Sequence, residues 1–318
     1  MASNPAANPQ GSLQYIRNFN LTVTGSNVNG LDLSALHCKF SIKRSSNMTP
    51  NCADIRVYNL DADTALKIRQ QYTKVIVQAG YNSNFGVVFK GNIKQVIIGR
   101  ESATDTFIDL NCGDGDLAYN YAVVSAAIET ADQFSVFNQI AQPMYGLGLN
   151  SASNQPSFKP TILPRGKTMF GNSRDFLRTF SNQNDLTWSI QNEQITFVKQ
   201  QGYQKGVSVV LNSKTGMIGT PQQTNIGINV VNLINPLINP GQTVQVDQAS
   251  IARLKIDLGN PKDPVNLAPD IRLDGVYYVL VVEHTGDNRG IDWYSKLICC
   301  TVNQSVAAIN SVAVSYGP

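Results

Sequence analysis

The residues of this chain that could do chemistry are few and widely spaced. Among its 318 residues are two histidines, His37 and His284, each on or at the end of a segment with strand character. Neither has a cysteine or carboxylate at the spacing a zinc site uses, so both read as structural. Arg165-Gly166-Lys167-Thr168 has the form of the close of a phosphate-binding loop. The glycine that such a loop needs five residues before Gly166 is replaced by Thr161, and the match fails. CGDGDLAY, Cys112 to Tyr119, begins like a calcium loop. Ala118 and Tyr119 stand where the third ligand and the obligatory glycine belong, so Asp114 and Asp116 read as turn formers and a helix cap. Glu129, Asp132, Asp175, Asp185 and Glu193 are the carboxylates that follow Asp116 in the middle of the chain. A glycosidase needs two carboxylates converging across a cleft, and the spacing of these five picks out no such pair. There is no GxSxG and no HExxH. The expectation is a protein that is not an enzyme, with no catalytic, cofactor-binding or metal-binding residue to nominate.

Composition points the same way. Hydrophobic residues make up 42% of the chain and charged ones only 15%, against about 25% charged in ordinary soluble proteins. Amides and hydroxyls fill the polar positions, as expected either of a surface that neighbouring subunits cover or of a compositional bias with no interface meaning. The net charge of +3 is spread out: 11 Lys and Arg against 8 Asp and Glu in residues 1–115, 7 against 6 in 116–205, and 7 against 8 in 206–318. No basic block exists to neutralise phosphates, which argues against sequence-specific nucleic-acid binding. Cys38, Cys52, Cys112, Cys299 and Cys300 are odd in number, lack a CxxC spacing and sit in apolar strand-like contexts. They read as reduced core residues. The polar, Pro-containing start, residues 1–14, reads as a flexible arm, and no apolar run is long enough to cross a membrane.

The elements that must carry these residues are mostly strands. FNLTVTG, HCKFSIKRS, ADIRVYNL, KVIVQAGY, FGVVFKGNIKQVIIGR and DTFIDLNCGD alternate and are rich in β-branched residues. One helix, DADTALKIRQQY, interrupts them, with Asp61 or Asp63 as N-cap and Leu66, Ile68 and Tyr72 as its apolar stripe. After Asp116 the texture becomes mixed. One helix carries Phe134, Phe137, Ile140 and Ala141, and a second carries Phe176, Leu177 and Phe180. The hairpin LTWSIQN–EQITFVKQ follows, with Gln191-Asn192 as its turn. From Val207 the chain is β again: VSVVLN, INVVNLIN, QTVQVD, ARLKIDL and a final hairpin whose loop is TGDN. Trp188 and Trp293 fall inside apolar strand patterns and read as core. The expected fold is mainly β with some α: two antiparallel β-barrel domains, 15–116 and 205–303, flank a small α+β domain, 117–204. The arm 1–14 and a tail 304–318 complete the chain.

Two features of the last domain stand out. NVVNLINPLINPGQTVQV breaks a strand pattern twice and restarts it at once. Proline removes an amide donor, so Asn235, Pro236, Pro240 and Gly241 read as a corner between two strands, with Pro240-Gly241 in the middle of a type II turn. In GVYYVLVVEH, strict alternation puts Val276, Tyr278, Leu280 and Val282 on one face and Tyr277, Val279 and Val281 on the other. Both faces are apolar, and a small barrel has nothing obvious to cover its outside. Tyr277, Val279 and Val281 are therefore expected at a subunit interface.

The series ADIRVYNL, VIVQAGY, VVFKGNIKQV and IDLNCGDGD, followed by LNSKTGMIGTPQQTNIGINVVNLINPLINPGQTVQV and GVYYVLVVEHTGDNRGIDWYSKLICCTVN, resembles the baseplate hub proteins of tailed bacteriophages, including the phage protein D type of tail hub. The likeness runs over roughly residues 15–303. It implies a homotrimer whose chains each supply two tail-tube-like barrels, giving a pseudo-sixfold ring between the tail tube and the threefold spike through which DNA passes. The implied partners are the tail tube protein, the spike or tail-tip protein, and the tape measure and baseplate wedge proteins. The implied place is the virion tail, assembled in the bacterial cytoplasm, with no membrane insertion. Three other readings stand beside it: a cell-wall-degrading tail enzyme using the middle-domain acids, a carbohydrate- or receptor-binding β-module using Trp188 and Trp293, and the hub of a contractile injection system.

Overall fold

The computed structural model describes residues 14, 16–25, 28–129, 131–151, 162–163, 165–200, 202–204, 208–224, 227–246 and 275–301. The expected strand ARLKIDL, the tail 304–318 and the arm 1–14, apart from Gln14, lie outside the described residues. The first region comprises β1 (Arg17–Gly25), β2 (Val28–Asp32), β3 (Cys38–Ser45), β4 (Cys52–Tyr58), α1 (Ala62–Gln71), β5 (Lys74–Tyr81), β6 (Asn84–Arg100) and β7 (Thr106–Gly113). The middle contains α2 (Asp116–Tyr121), β8 (Val123–Ile128), β9 (Ala131–Asp132), α3 (Gln133–Gly146), β10 (Ile162–Leu163), β11 (Lys167–Asn172), α4 (Ser173–Gln183), β12 (Leu186–Gln191) and β13 (Gln194–Lys199). The last region holds β14 (Val209–Leu211), β15 (Met217–Gln223), β16 (Gly227–Leu233), β17 (Thr243–Val246), β18 (Val276–Asp287) and β19 (Trp293–Thr301). The fold is mainly β, and its long helices α3 and α4 belong to the middle.

Strands of the first and last regions lie in one hydrogen-bonded sheet, in the order β15-β16-β19-β18-β3-β4-β7-β6-β5-β1-β2. β17 also pairs with β18, and β14 joins β17 in parallel, while the other pairings are antiparallel. The join is β18. Its first residues pair with β17, from Val276↔Gln245 to Tyr278↔Thr243. Its last seven pair with β3, from Val281↔Ser45 to Asp287↔Lys39. One strand thus belongs to both regions. The expected TGDN loop is too early, because β18 runs on through Asp287 and the connection is the segment after it, up to Asp292.

At the hand-over, the pairing of β18 with β19 steps from Val279↔Cys299 to Val281↔Ile298, leaving Leu280 as the extra residue of a bulge. A bulge reverses the alternation beyond it. Tyr277, Val279 and Val282 therefore share one cluster with Ile228, Val230, Val244 and Leu297. Tyr278, Leu280 and Val281 turn to the other face, against Val198, Ile298 and Cys300. This corrects the expectation for Tyr277, Val279 and Val281. They do not form one outward row, and at 1%, 0% and 2% exposure their side chains are buried within a single chain. The outer face has a cover after all, in Val198 of the middle region, so the premise that a second chain must supply it is lost.

The first helix follows its expected capping, the cap of α3 was not foreseen, and not every residue of the expected stripes is buried. Asp61 caps α1, accepting from the Thr64 amide at 3.3 Å, and Ala65 and Ile68 are buried while Leu66 is 47% exposed. Asp132 caps α3, accepting from the Ser135 amide at 2.9 Å. Val136, Phe137, Ile140, Ala141 and Met144 form its buried face, and Phe134 lies outside it. α4 buries Leu177 and Phe180, and both helices pack on the β12–β13 hairpin through Trp188, Ile190 and Phe197. Trp188 and Trp293 are both buried, Trp293 among Phe19 and Phe40 of the first region.

Candidate functional site

The densest set of buried polar side chains lies where the three regions meet, and Arg44 is at its centre. Inward positions of β3 are Cys38, Phe40, Ile42 and then Arg44, which is 1% exposed. The Arg44 guanidinium donates to the Val88 carbonyl of β6 at 3.4 Å and to Gln191 Oε1 of β12 at 3.1 Å. Burial pulls its pKa down to about 10, still far above neutrality, so it stays charged. Next to it on β18, His284 is fully buried, with Nδ1 2.7 Å from Ser295 Oγ. Burial, aided by the Arg44 charge, depresses the His284 pKa to about 3, so the imidazole is neutral.

The tip of the β12–β13 hairpin plugs into the first region. Gln191 pairs with Gln194, which makes Asn192-Glu193 the turn, one residue later than expected. Their φ angles of 53° and 63° are those of a type I′ turn. Asp114 accepts both turn amides, from Asn192 at 2.6 Å and from Glu193 at 2.7 Å. It stands in the turn before α2, as the sequence suggested, but its carboxylate serves residues far along the chain and caps nothing local. Burial raises its pKa to about 6, and the two amides, Arg44 and Asn51 oppose that rise. Asn51 Nδ2 donates to the Ile190 carbonyl at 2.8 Å, and Gln191 Nε2 donates to the Ser45 carbonyl at 2.6 Å. The Glu193 carboxylate, 3% exposed, takes Lys74 Nζ at 2.8 Å and Lys90 Nζ at 2.7 Å.

The proline corner faces the same junction. Asn235 to Ile238 and Asn239 to Gln242 are two successive turns, each closed by a backbone bond of 3.3 Å. Gly241 has φ +91°, the left-handed value that a type II turn requires at its third position. Its amide donates to Val279 and its carbonyl accepts from Gln204, both at 2.9 Å. Pro236 packs near Gly86, at the β5–β6 hairpin. The corner carries the chain from the β19 side of the final hairpin to its β18 side, where β17 resumes the sheet.

A family model described as Baseplate hub gp41 matches residues 19–250. The chain belongs to the baseplate hub gp41 family. This hub chain is similar in fold to the 43 kDa tail protein of prophage MuSo2 from Shewanella oneidensis, with 8% identity and a TM-score of 0.57 over 90% of this chain and 97% of that one. A tail protein from Neisseria meningitidis MC58 gives 9% identity and a TM-score of 0.53 over 89% and 96%. The E. coli c3393 protein, described as a type VI secretion component similar to T4 tail proteins gp27 and gp5, gives 11% and 0.52 over 88% and 76%. At these identities the likeness shows the fold alone. No curated protein sequence matches the chain.

The remaining candidates of the hub sequence are dispersed. Lys167 and Thr168 lie in β11, paired with Ile128 and Ala127, not at the mouth of a helix. Asp132 is a cap, Asp175 is an exposed partner of Arg178 at 3.6 Å, and Glu193 is locked in the plug. Among the described residues, no group of three or more His, Cys, Asp and Glu could hold a metal ion. A groove of about 510 Å³ crosses the outer face of β18, β3, β4 and β7. Much of its charge is committed to ion pairs: Arg56 holds Asp109 by two bonds of 2.7 and 2.8 Å, and Asp287 is held by His37 at 2.9 Å. The sequence reading passed over Arg44. Its signal was a cation at an inward position of a strict alternation, which a strand tolerates only if something buried answers it.

Proposed function

We propose that this baseplate hub chain works as a homotrimer, in which three copies of the two β regions, 15–116 and 205–303, make a pseudo-sixfold ring. The ring joins the tail tube to the threefold spike and leaves a path for DNA, with 117–204 facing other baseplate components. Its partners on this reading are the tube, spike or tail-tip, tape measure and baseplate wedge proteins, and it acts as a structural part of the virion tail, assembled in the host cytoplasm. One observation carries the reading. β18 continues from the second β region into the first through seven residue pairs with β3, so one chain holds two β regions at a fixed relation. Three such chains supply six positions without a symmetric hexamer. With the final hairpin covered internally, the apolar side chains left at the surface, such as Ile97 and Ile98 of β6, Leu237 of the corner and Phe170 of β11, take its place as candidate contacts.

Light scattering on the purified protein tests this directly: three chains of 34.6 kDa are expected, with interfaces on the order of 2,000 Å² or more. A stable monomer at micromolar concentration would sink the trimer. A second reading, the hub of a contractile injection system, draws on the fold likeness to the type VI secretion component, and imaging the particle that contains the protein separates the two. The carbohydrate-module alternative loses its proposed platforms, because both tryptophans are buried. A peptidoglycan digestion assay addresses the cell-wall enzyme, for which no activity is expected.

A further inference from the structure

Two kinds of contact hold the β12–β13 hairpin to the β regions. Towards β18 the contact is apolar, Val198 packing with Leu280, Val281 and Ile298. Towards the first region, at the hairpin tip, it is polar: Asp114 holds the turn amides, Lys74 and Lys90 hold Glu193, and Asn51, Ser45 and Arg44 hold Ile190 and Gln191 just before the turn. The tip is also tied within the middle region, where the Asn150 amide donates to the Glu193 carbonyl at 2.7 Å. We propose that this tip is a charge-operated latch: Glu193, seated between Lys74 and Lys90, holds the hairpin tip on the first β region, and neutralising that charge frees the tip while the sheet stays closed.

Three observations support the latch. Turn chemistry alone favours glycine or asparagine at both positions of a type I′ turn, yet Glu193 occupies the second with φ 63°. Asn192 suits the first position, but a glutamate gives up stability in the left-handed region, so at the second position the contacts hold the turn and the residue type does not. The carboxylate is 3% exposed while Lys74 and Lys90 are 36% and 33% exposed. On the Glu193 side, opening therefore rehydrates one buried anion and leaves two cations already at the water, while the bonds it must also break are the two turn amides on Asp114. Finally, the first β region and β18 are joined by a seven-pair strand ladder that does not run through the tip. Release is thus local to the hairpin. The latch belongs to the single chain and does not depend on the trimer proposed above.

Hydrogen exchange read by mass spectrometry on the full chain tests it. Peptides covering 147–151 and 186–199 report the tip, and those covering 74–81 and 276–287 report the sheet. Glu193→Gln, and separately Lys74→Met with Lys90→Met, are expected to speed exchange at the tip at least tenfold with the sheet unchanged. Combining all three substitutions should bring the tip back towards the wild-type rate relative to the double lysine variant, because no lone buried charge remains. Tip exchange that stays at the wild-type rate in both variants overturns the latch, and so does acceleration that appears equally in the sheet. Should neither variant fold, the wild-type chain decides: the two lysines are about a third exposed, so their pairs with buried Glu193 are partly screened, and raising salt from about 50 mM to about 1 M is expected to speed the tip modestly but selectively. No salt response at the tip counts against the proposal.

Discussion

Arg44, Asp114 and His284 are charged or chargeable groups kept from water at the centre of the molecule, and two of them tie stability to pH in opposite senses. His284 has a folded pKa of about 3, below its free value of 6.5. Its neutral burial contributes stability that is complete above the free value and is lost as pH falls towards the folded one. Asp114 is raised from 3.8 to about 6, so its contribution is complete below the lower value and disappears as pH rises through the upper one. Between roughly pH 4 and 6 the two slopes oppose each other. Replacing His284 with Gln should remove one of them, and thermal melts should show the variant gaining on the wild type as pH is lowered from neutrality. A constant difference across pH would mean that His284 is not buried neutral. Val281 belongs to the same scale. It is 2% exposed and packed on Val198, so Val281→Lys should lower the stability of the chain itself by several kcal/mol, and Val281→Ala by about 2 kcal/mol. Denaturant melts of both check this; an unaltered melt with only a lost oligomer would restore the outward-facing reading. Among the cysteines, Cys52 alone is not fully buried. Native thiol titration should find at most that one, and denaturant should release all five without reductant.

The corner, the helices and the bulge show which elements the sequence announces and why. Gly241 at φ +91° leaves little choice of residue, and a Cβ there would also stand 3.1 Å from Val198 Cγ2. Gly241→Ala should cost about 1–2 kcal/mol, measurable as a lower denaturation midpoint. Pro240-Gly241 was legible because turn chemistry is local. α1 was legible as a helix for the same reason, through Asp61 as its cap, and α3 through its apolar spacing; Ile68, Phe137, Ile140 and Ala141 are buried as expected, and only the first member of each stripe was misread. Leu66 and Phe134 are apolar yet exposed, while Ala65 and Val136 do the packing. At those two positions size suggested an inward residue and helix geometry turned it to the surface. β8 and β11 escaped notice altogether: VVSAAI and KTMFGN carry small residues and a glycine, weak strand signals that only their mutual pairing makes into a ladder. The bulge at Leu280 was invisible to alternation, because every residue from Tyr277 to Val282 is apolar and a shift of parity leaves no mark in such a run. The plug was invisible for a different reason. Asp114 and Glu193 meet only through tertiary structure, and an acid in a turn usually means no more than a turn.

As a whole, the molecule is two β regions sharing a strand, with a mixed unit keyed into the seam. Mainly β character, the helical middle and the hub family were all within reach of the sequence, because alternation, capping and the ordered series of strand motifs are properties of the chain alone. That β18 serves both regions was not, since nothing in GVYYVLVVEHTGD says that its second half pairs with a strand more than two hundred residues earlier. This sharing has a consequence for how the protein comes into being. During synthesis β3 emerges early and waits with one edge open, while Trp293, which fills the first core beside Phe19 and Phe40, is among the late arrivals. The first β region therefore cannot finish folding as it leaves the ribosome. A nascent chain arrested at residue 250 should remain protease-sensitive across β3, and extending it through residue 301 should protect that strand in a single step. The molecule would thus close from its far end backwards, so that a polypeptide broken off before β18 never acquires a finished first half.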